Sequence, residues 1–252
     1  MRRTEDVMGM PITVDVRDAD ASADVLDEIY ADLVRIDGLF SPFLPESEVS
    51  RIGDGRLAVD HSGPLVHEVL ELCRAFERDT DGYFNAWYGG KLDPSGVVKG
   101  WAIARAAASL DTRGYDDYFI DAGGDVRTRG HSAPGAPWRV GIRHPVERDK
   151  VARVILATDL AVATSGTYEK GPHIYDPHTG APATELLSMT VVGPSILEAD
   201  VYATAAFAMG LAGLEFIEHR SGYEAYAIDK KLRGHWTTGF DDYCDHQVSD
   251  RV

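Results

Sequence analysis

From Tyr118 to about Val192 the chain is a series of short, β-branched segments broken by Gly and Pro, and its helical periodicity lies outside that series. Segments 118–122, 138–142, 151–156, 161–164 and 189–192 are too short for ordinary helices and read as strands. Residues 225–229 read as another, and the alternation over Met10–Val16 fits a half-buried strand. Val25, Ile29, Leu33 and Ile36 fall near helical spacing behind Ser22, a candidate N-cap, and predict a helix over 23–38. Val66, Val69, Leu70, Cys73 and Phe76 predict a second over 65–80. Segment 101–110, dense in Ala, and segment 197–209 read as two more. Strands grouped together, with helices segregated from them, predict an α+β fold rather than a doubly wound sheet. No repeat, low-complexity tract or clear linker interrupts the sequence, so 1–252 is read as a single domain.

Charge narrows the function classes. The formal net charge is −16, which disfavours nucleic acid and anionic membrane surfaces as partners. Arg2 and Arg3 are followed by Glu5 and Asp6, not by the apolar core of a signal peptide. No run approaches the roughly 18 apolar residues of a membrane span. The expectation is a cytoplasmic protein without a membrane span. Cys73 and Cys244 read as two unpaired thiols, since two cysteines make no disulfide framework and no zinc ligand set stands near them.

Four segments carry residues suited to chemistry, and each has a bland structural reading when taken alone. In EADVYATAAFAMG, Asp200 and Thr204 stand one helical turn apart, so two hard oxygen ligands share a face. The same pattern also suits an acid at a helix N-terminus plus a buried Thr. In ATSGTYEKGPHIYDPHTGAP, small residues allow close backbone approach to a ligand, and His173, Asp176 and His178 offer acid–base groups; Asp176-Pro177 and Thr179-Gly180 are equally turn signals. In LDPSGVVKG, Asp93, Ser95, Gly96, Lys99 and Gly100 precede the third helix, a setting that suits phosphate, although it is neither a P-loop nor a dinucleotide fingerprint. In DAGGDVRTRG, Gly123-Gly124 permits a tight hairpin that displays Asp125. Together the four supply metal ligands, phosphate donors and an acid–base pair.

Taken in order, MG at Met8-Gly9, FSPFLPESEVSRI, TDGYFN, LDPSGVVKG, DAGGDVR, WRVGIRHP, AVATSGTYE, HIYDPHTGAP and EADVYATA resemble the ApbE family, the FAD:protein FMN transferases, from about Met8 to Gly210. HIYDPHTG and the A-D-x-x-x-T element are the most specific of these. The resemblance implies an α+β, tunnelling-type fold with mixed or antiparallel sheet and flavin in a cleft. It implies Mg2+ held by Asp200, Thr204 and the Gly96 carbonyl. It places Met8, Phe43, Tyr83, Phe84, Asn85, Asp93, Lys99 and Ile174 around FAD, with His173 beside the phosphates. The implied reaction cleaves the FAD diphosphate and joins FMN to a Thr or Ser of an acceptor flavoprotein, with His173, Asp200 and Thr204 as its catalytic residues. The sequence departs from the family at Asn85, where Asp is usual, and in the short AWYGGK stretch that follows. The same residues would also serve an FAD pyrophosphatase that uses water, or a flavin-binding protein without catalysis.

Overall fold

The computed structural model describes residues 1–88, 91–147, 149–167 and 174–246. The chain opens with β1 (Arg2–Val7) and β2 (Met10–Val16), joined by Met8-Gly9 with both φ values positive, as a two-residue hairpin turn requires. Helix α1 (Ala23–Phe40), the short α2 (Glu48–Gly53) and α3 (Pro64–Asp79) follow. A small hairpin of β3 (Trp87–Tyr88) and β4 (Lys91–Leu92) leads into α4 (Ser95–Thr112). Then come β5 (Tyr118–Ala122), β6 (Asp125–Arg129), β7 (Trp138–Arg143), β8 (Val151–Ala157), β9 (Ala161–Gly166) and β10 (Leu186–Gly193). Helices α5 (Ile196–Met209) and α6 (Ala212–Glu218) precede β11 (Glu224–Asp229) and β12 (Gly234–Trp236).

Eight strands form one antiparallel sheet in the order β1-β2-β5-β6-β9-β10-β11-β12. Its two faces are written in the two-residue strand period. Ala161, Ala163, Val191, Ala225 and Ala227 face the helices, whereas the intervening Val162, Val192, Tyr226 and Ile228 join a second core under the β7–β8 hairpin. Apart from Met189, the helix-facing residues at the sheet centre are small or medium-sized, and Ala199, Ala203, Ala205 and Ala206 of α5 are small too, all buried. Small residues on both sides let α5 settle closely on β9 and β10. That helix is apolar on nearly every side, the pattern of a helix enclosed by protein. A carboxylate inside it, at Asp200, therefore needs a specific reason.

The fold meets the α+β expectation. Three local readings change. Residues 2–7 form an edge strand that charge concealed: RRTEDV carries ionic side chains outward, with Arg3 paired to Asp27 at 2.7 Å. Helix α4 begins at Ser95, six residues before the expected start, so Gly96, Lys99 and Gly100 lie within it. Asp93 accepts the Ser95 N–H at 3.0 Å and fixes that start, while two glycines lower its apparent helicity. Asp125 does follow the Gly123-Gly124 hairpin turn, but it is 1% exposed and turned inward, not displayed.

Candidate functional site

Five elements bring polar groups to one buried place. Asp200 sits in the first half of α5 and is 3% exposed. Its Oδ2 accepts the backbone N–H of Gly100 on α4 at 3.0 Å, and its Oδ1 lies 3.2 Å from the Lys99 Nζ. Lys99 also forms an ion pair with Asp125 at the start of β6. The Asp125 Oδ1 accepts the N–H of Thr164 on β9 at 2.9 Å. One turn beyond Asp200, the Thr204 hydroxyl meets Ser165 Oγ at 3.0 Å, and Thr164 Oγ1 meets Thr190 Oγ1 at 2.8 Å.

Gly100 makes this geometry possible. A Cβ built there would come within 2.9 Å of Leu197 Cα and 3.0 Å of Ile196 O, so only glycine lets α4 approach the start of α5 closely enough to donate its N–H to Asp200. Gly96 has a similar role one turn earlier, where an added Cβ would meet the Phe84 ring at 2.9 Å. Phe84 itself is buried, and its N–H is held by Thr80 Oγ1 at 3.0 Å, a hydroxyl that in turn donates to Phe76 O.

The electrostatics are unbalanced. Two buried carboxylates share one ammonium. At an effective dielectric of about 20, unit charges 4 Å apart interact by about 4 kcal/mol. Burial raises the Asp200 carboxyl well above the ordinary range; Lys99 opposes the rise and Asp125 adds to it. Burial alone would lower Lys99, but the two carboxylates outweigh it and hold the ammonium charged. The Asp125 Oδ2 accepts no hydrogen bond of normal geometry, although Lys99 lies against it. An excess of buried negative oxygen with a hydroxyl nearby fits a hard divalent cation such as Mg2+, which takes one or two carboxylates and completes its shell with water and phosphate. Among the described residues no three His, Cys, Asp or Glu side chains form a complete protein cage for a metal.

The other expected site residues are spread over several places. Tyr83 and Phe84 stand on the loop after α3, with Tyr83 edge-on to His178 at 4.5 Å between ring centroids. Residues 176–180 form a turn in which Asp176 accepts from the His178 N–H at 2.9 Å and the Thr179 hydroxyl at 2.9 Å. Ile174 is buried in the main core, and Met8 packs against that core from the hairpin turn. Asn85 donates to Glu77 Oε1 at 3.2 Å and accepts from the Trp87 N–H at 2.7 Å. Phe43 is 90% exposed on the loop after α1. His173 lies outside the described residues. Sequence reasoning passed over Asp125 as a partner of Lys99, Ser165 as a partner of Thr204, and Glu77 as a partner of Asn85. A groove of about 370 Å3 between α1 and α4, with Asp32 and Arg105 on its walls, contains none of these residues.

The family model described as "ApbE family" matches residues 8–90 and 88–227. The chain belongs to the ApbE family. Two of the relatives that carry the name FAD:protein FMN transferase show the extent of the match. One, from Vibrio cholerae, is 36% identical over 129 residues, covering 47% of this chain and 39% of that protein. The other, from Salmonella typhimurium, is 31% identical over 170 residues, covering 64% of this chain and 49% of that protein. The matched stretches thus span less than half the length of these relatives. The solved flavin transferase ApbE from Vibrio cholerae superposes with a TM-score of 0.84 at 22% identity, covering 96% of this chain and 98% of that one. The apo flavinyl transferase ApbE of Pseudomonas stutzeri gives 0.82 at 25% identity, covering 96% of each chain. This ApbE chain therefore shares the fold of those structures. Among its described residues no helix is long and apolar enough to cross a membrane.

Proposed function

We propose that this ApbE-family chain is a Mg2+-dependent FAD:protein FMN transferase. The observation that carries the reading is the buried convergence of Asp200, Lys99 and Asp125, from α5, α4 and β6, next to the Thr204 hydroxyl. It occupies the motifs that resemble the family's metal and diphosphate sites, and the names of the relatives agree with it. FAD is the substrate, and the partner is an acceptor flavoprotein with a Thr or Ser target.

In this reading Asp200, Thr204 and the Gly96 carbonyl would hold a metal ion, and a Mg2+ bound there would supply positive charge to offset that of the diphosphate oxygens. Lys99, at the N-terminal part of α4, places a positive charge beside those oxygens, where a helix N-terminus already favours anions. Phe84, packed on Gly96, fixes the wall of the site, and Tyr83, Met8, Phe43, Asn85, Asp93 and Ile174 are assigned to the remainder of the FAD pocket. The acceptor's hydroxyl oxygen forms a new bond to the FMN phosphorus, and the bond from that phosphorus to the bridging oxygen breaks. AMP leaves with the bridging oxygen, and the hydroxyl proton passes to His173, the assigned base. Catalysis here is mainly positioning, as in other phosphoryl transfers.

The test incubates the protein with FAD, Mg2+ and an acceptor protein, and follows AMP release together with flavin fluorescence on a denaturing gel. Flavin bound to the acceptor, lost in Asp200→Ala, supports the reading. Free FMN with no labelled acceptor would replace transferase with hydrolase, and undiminished AMP release by Asp200→Ala would remove the metal assignment.

A further inference from the structure

Lys99 lies against two carboxylates where the function proposed above requires a divalent cation. With both carboxylates ionised, the three groups together carry one net negative charge in a buried setting. Adding a dication without moving anything would leave one net positive charge, with the ammonium and the metal ion competing for Asp200. The carboxylates have little room to leave: Asp200 is tied to the Gly100 N–H and Asp125 to the Thr164 N–H, and their side chains are only 4% and 2% exposed. The lysine side chain is 26% exposed and ends a flexible stem. It is therefore the member of the trio free to move, and an anion is the partner that would keep it in the site.

We propose that Lys99 is an exchangeable counter-ion: it neutralises the metal site when FAD is absent, yields Asp200 to the arriving divalent cation, and turns to the FAD diphosphate. This rests on the function proposed above and adds to it an order of charges. Cation binding alone displaces an ammonium into water, whereas cation binding with FAD gives that ammonium a new anionic partner. Each ligand consequently strengthens the other, and linkage makes the factor the same in both directions. The exchange forms and breaks no covalent bond, and Lys99 keeps its charge throughout.

The inference makes a claim opposite to that of a plain phosphate-binding lysine. Calorimetric titration with Mg2+ alone, without FAD, should show Lys99→Met binding the cation more tightly than the wild type, by about tenfold, within the usual range of such couplings. Equal or weaker Mg2+ binding by a folded Lys99→Met protein would overturn it. Because that variant leaves two buried carboxylates facing each other, the unmodified protein supplies an independent measurement. Reductive methylation read by mass spectrometry should label Lys99 faster when Mg2+ is added alone, and slower again when FAD joins it. A labelling rate indifferent to Mg2+, in a protein shown by calorimetry to bind Mg2+, would sink the exchange and leave the proposed function standing. Failure of the wild type to bind Mg2+ with or without FAD would instead sink the function on which it rests.

Discussion

Replacing Gly100 with Ala tests whether the approach of α4 to α5 sets the site. Two effects oppose each other. Alanine favours a helix interior over glycine by about 1 kcal/mol. Against this, the new Cβ would stand 2.9 Å from Leu197 Cα, 3.0 Å from Ile196 O and 3.1 Å from Asp200 Cβ, short of ordinary contact by up to about half an ångström. Two of those atoms are backbone and cannot rotate aside. Overpacking of this kind costs about 1–3 kcal/mol, and the rigid neighbours place it in the upper part of that range. The net expectation is a loss of about 1–2 kcal/mol, or about 2–8 °C in melting temperature for a chain of this size. The Gly100 N–H to Asp200 Oδ2 bond, 3.0 Å in the wild type, lengthens as the helices part. Since a 1 Å misplacement can cost about a hundredfold in rate, half of that should lower Mg2+-dependent AMP release about tenfold. Thermal unfolding by circular dichroism and AMP quantification by chromatography read the two effects. A melting temperature that rises, with AMP release unchanged, would show that propensity wins and that the close approach is dispensable.

Asn85→Asp should lower stability by about 1 kcal/mol or less at this half-buried position, read as a lower melting temperature, because it sets a carboxylate against Glu77 where an amide now donates at 3.2 Å; adding Glu77→Gln should restore it. Thr190→Val should cost about 1–2 kcal/mol in denaturant unfolding, since Thr190 is fully buried and its loss strands the Thr164 hydroxyl. Asp229 gives a pH signature. The Arg233 N–H first, then the Arg233 guanidinium, His235 and the Lys231 N–H, hold its carboxyl well below the usual carboxylate range. A depressed folded value means that the stabilisation is complete above the unfolded value of about 3.9 and is lost as pH falls through the folded one. The melting-temperature gap between wild type and Asp229→Asn should thus narrow as pH falls below about 4; a gap that stays constant or widens between about pH 4 and 2 would refute the assignment.

The strands and the amphipathic helices were legible because their signal is periodic and local. Val162 against Ala161 and Ala163, or Tyr226 against Ala225 and Ala227, shows the two-residue alternation dividing two cores. The candidate site was legible in part, through the motifs that hold Asp200, Thr204 and Lys99. What escaped depended on tertiary partners. Gly100 weakened the expected start of α4 because its use, admitting Asp200, belongs to contact with α5. Asp125 read as a displayed turn residue because nothing in DAGGDVR announces that Lys99 and Thr164 await it. The Asn for Asp exchange at 85 looked like lost charge, yet Glu77 supplies a carboxylate at the same spot.

The trio at Lys99, Asp125 and Asp200 is drawn from places far apart along the polypeptide, with the Gly100 to Asp200 bond spanning 100 positions. On the ribosome, α4 and β6 therefore emerge well before the helix that completes them, an interval of several seconds at about 5–20 residues per second. A nascent chain lacking α5 holds only the first carboxylate and its lysine. The cluster therefore closes in one late step, when α5 docks.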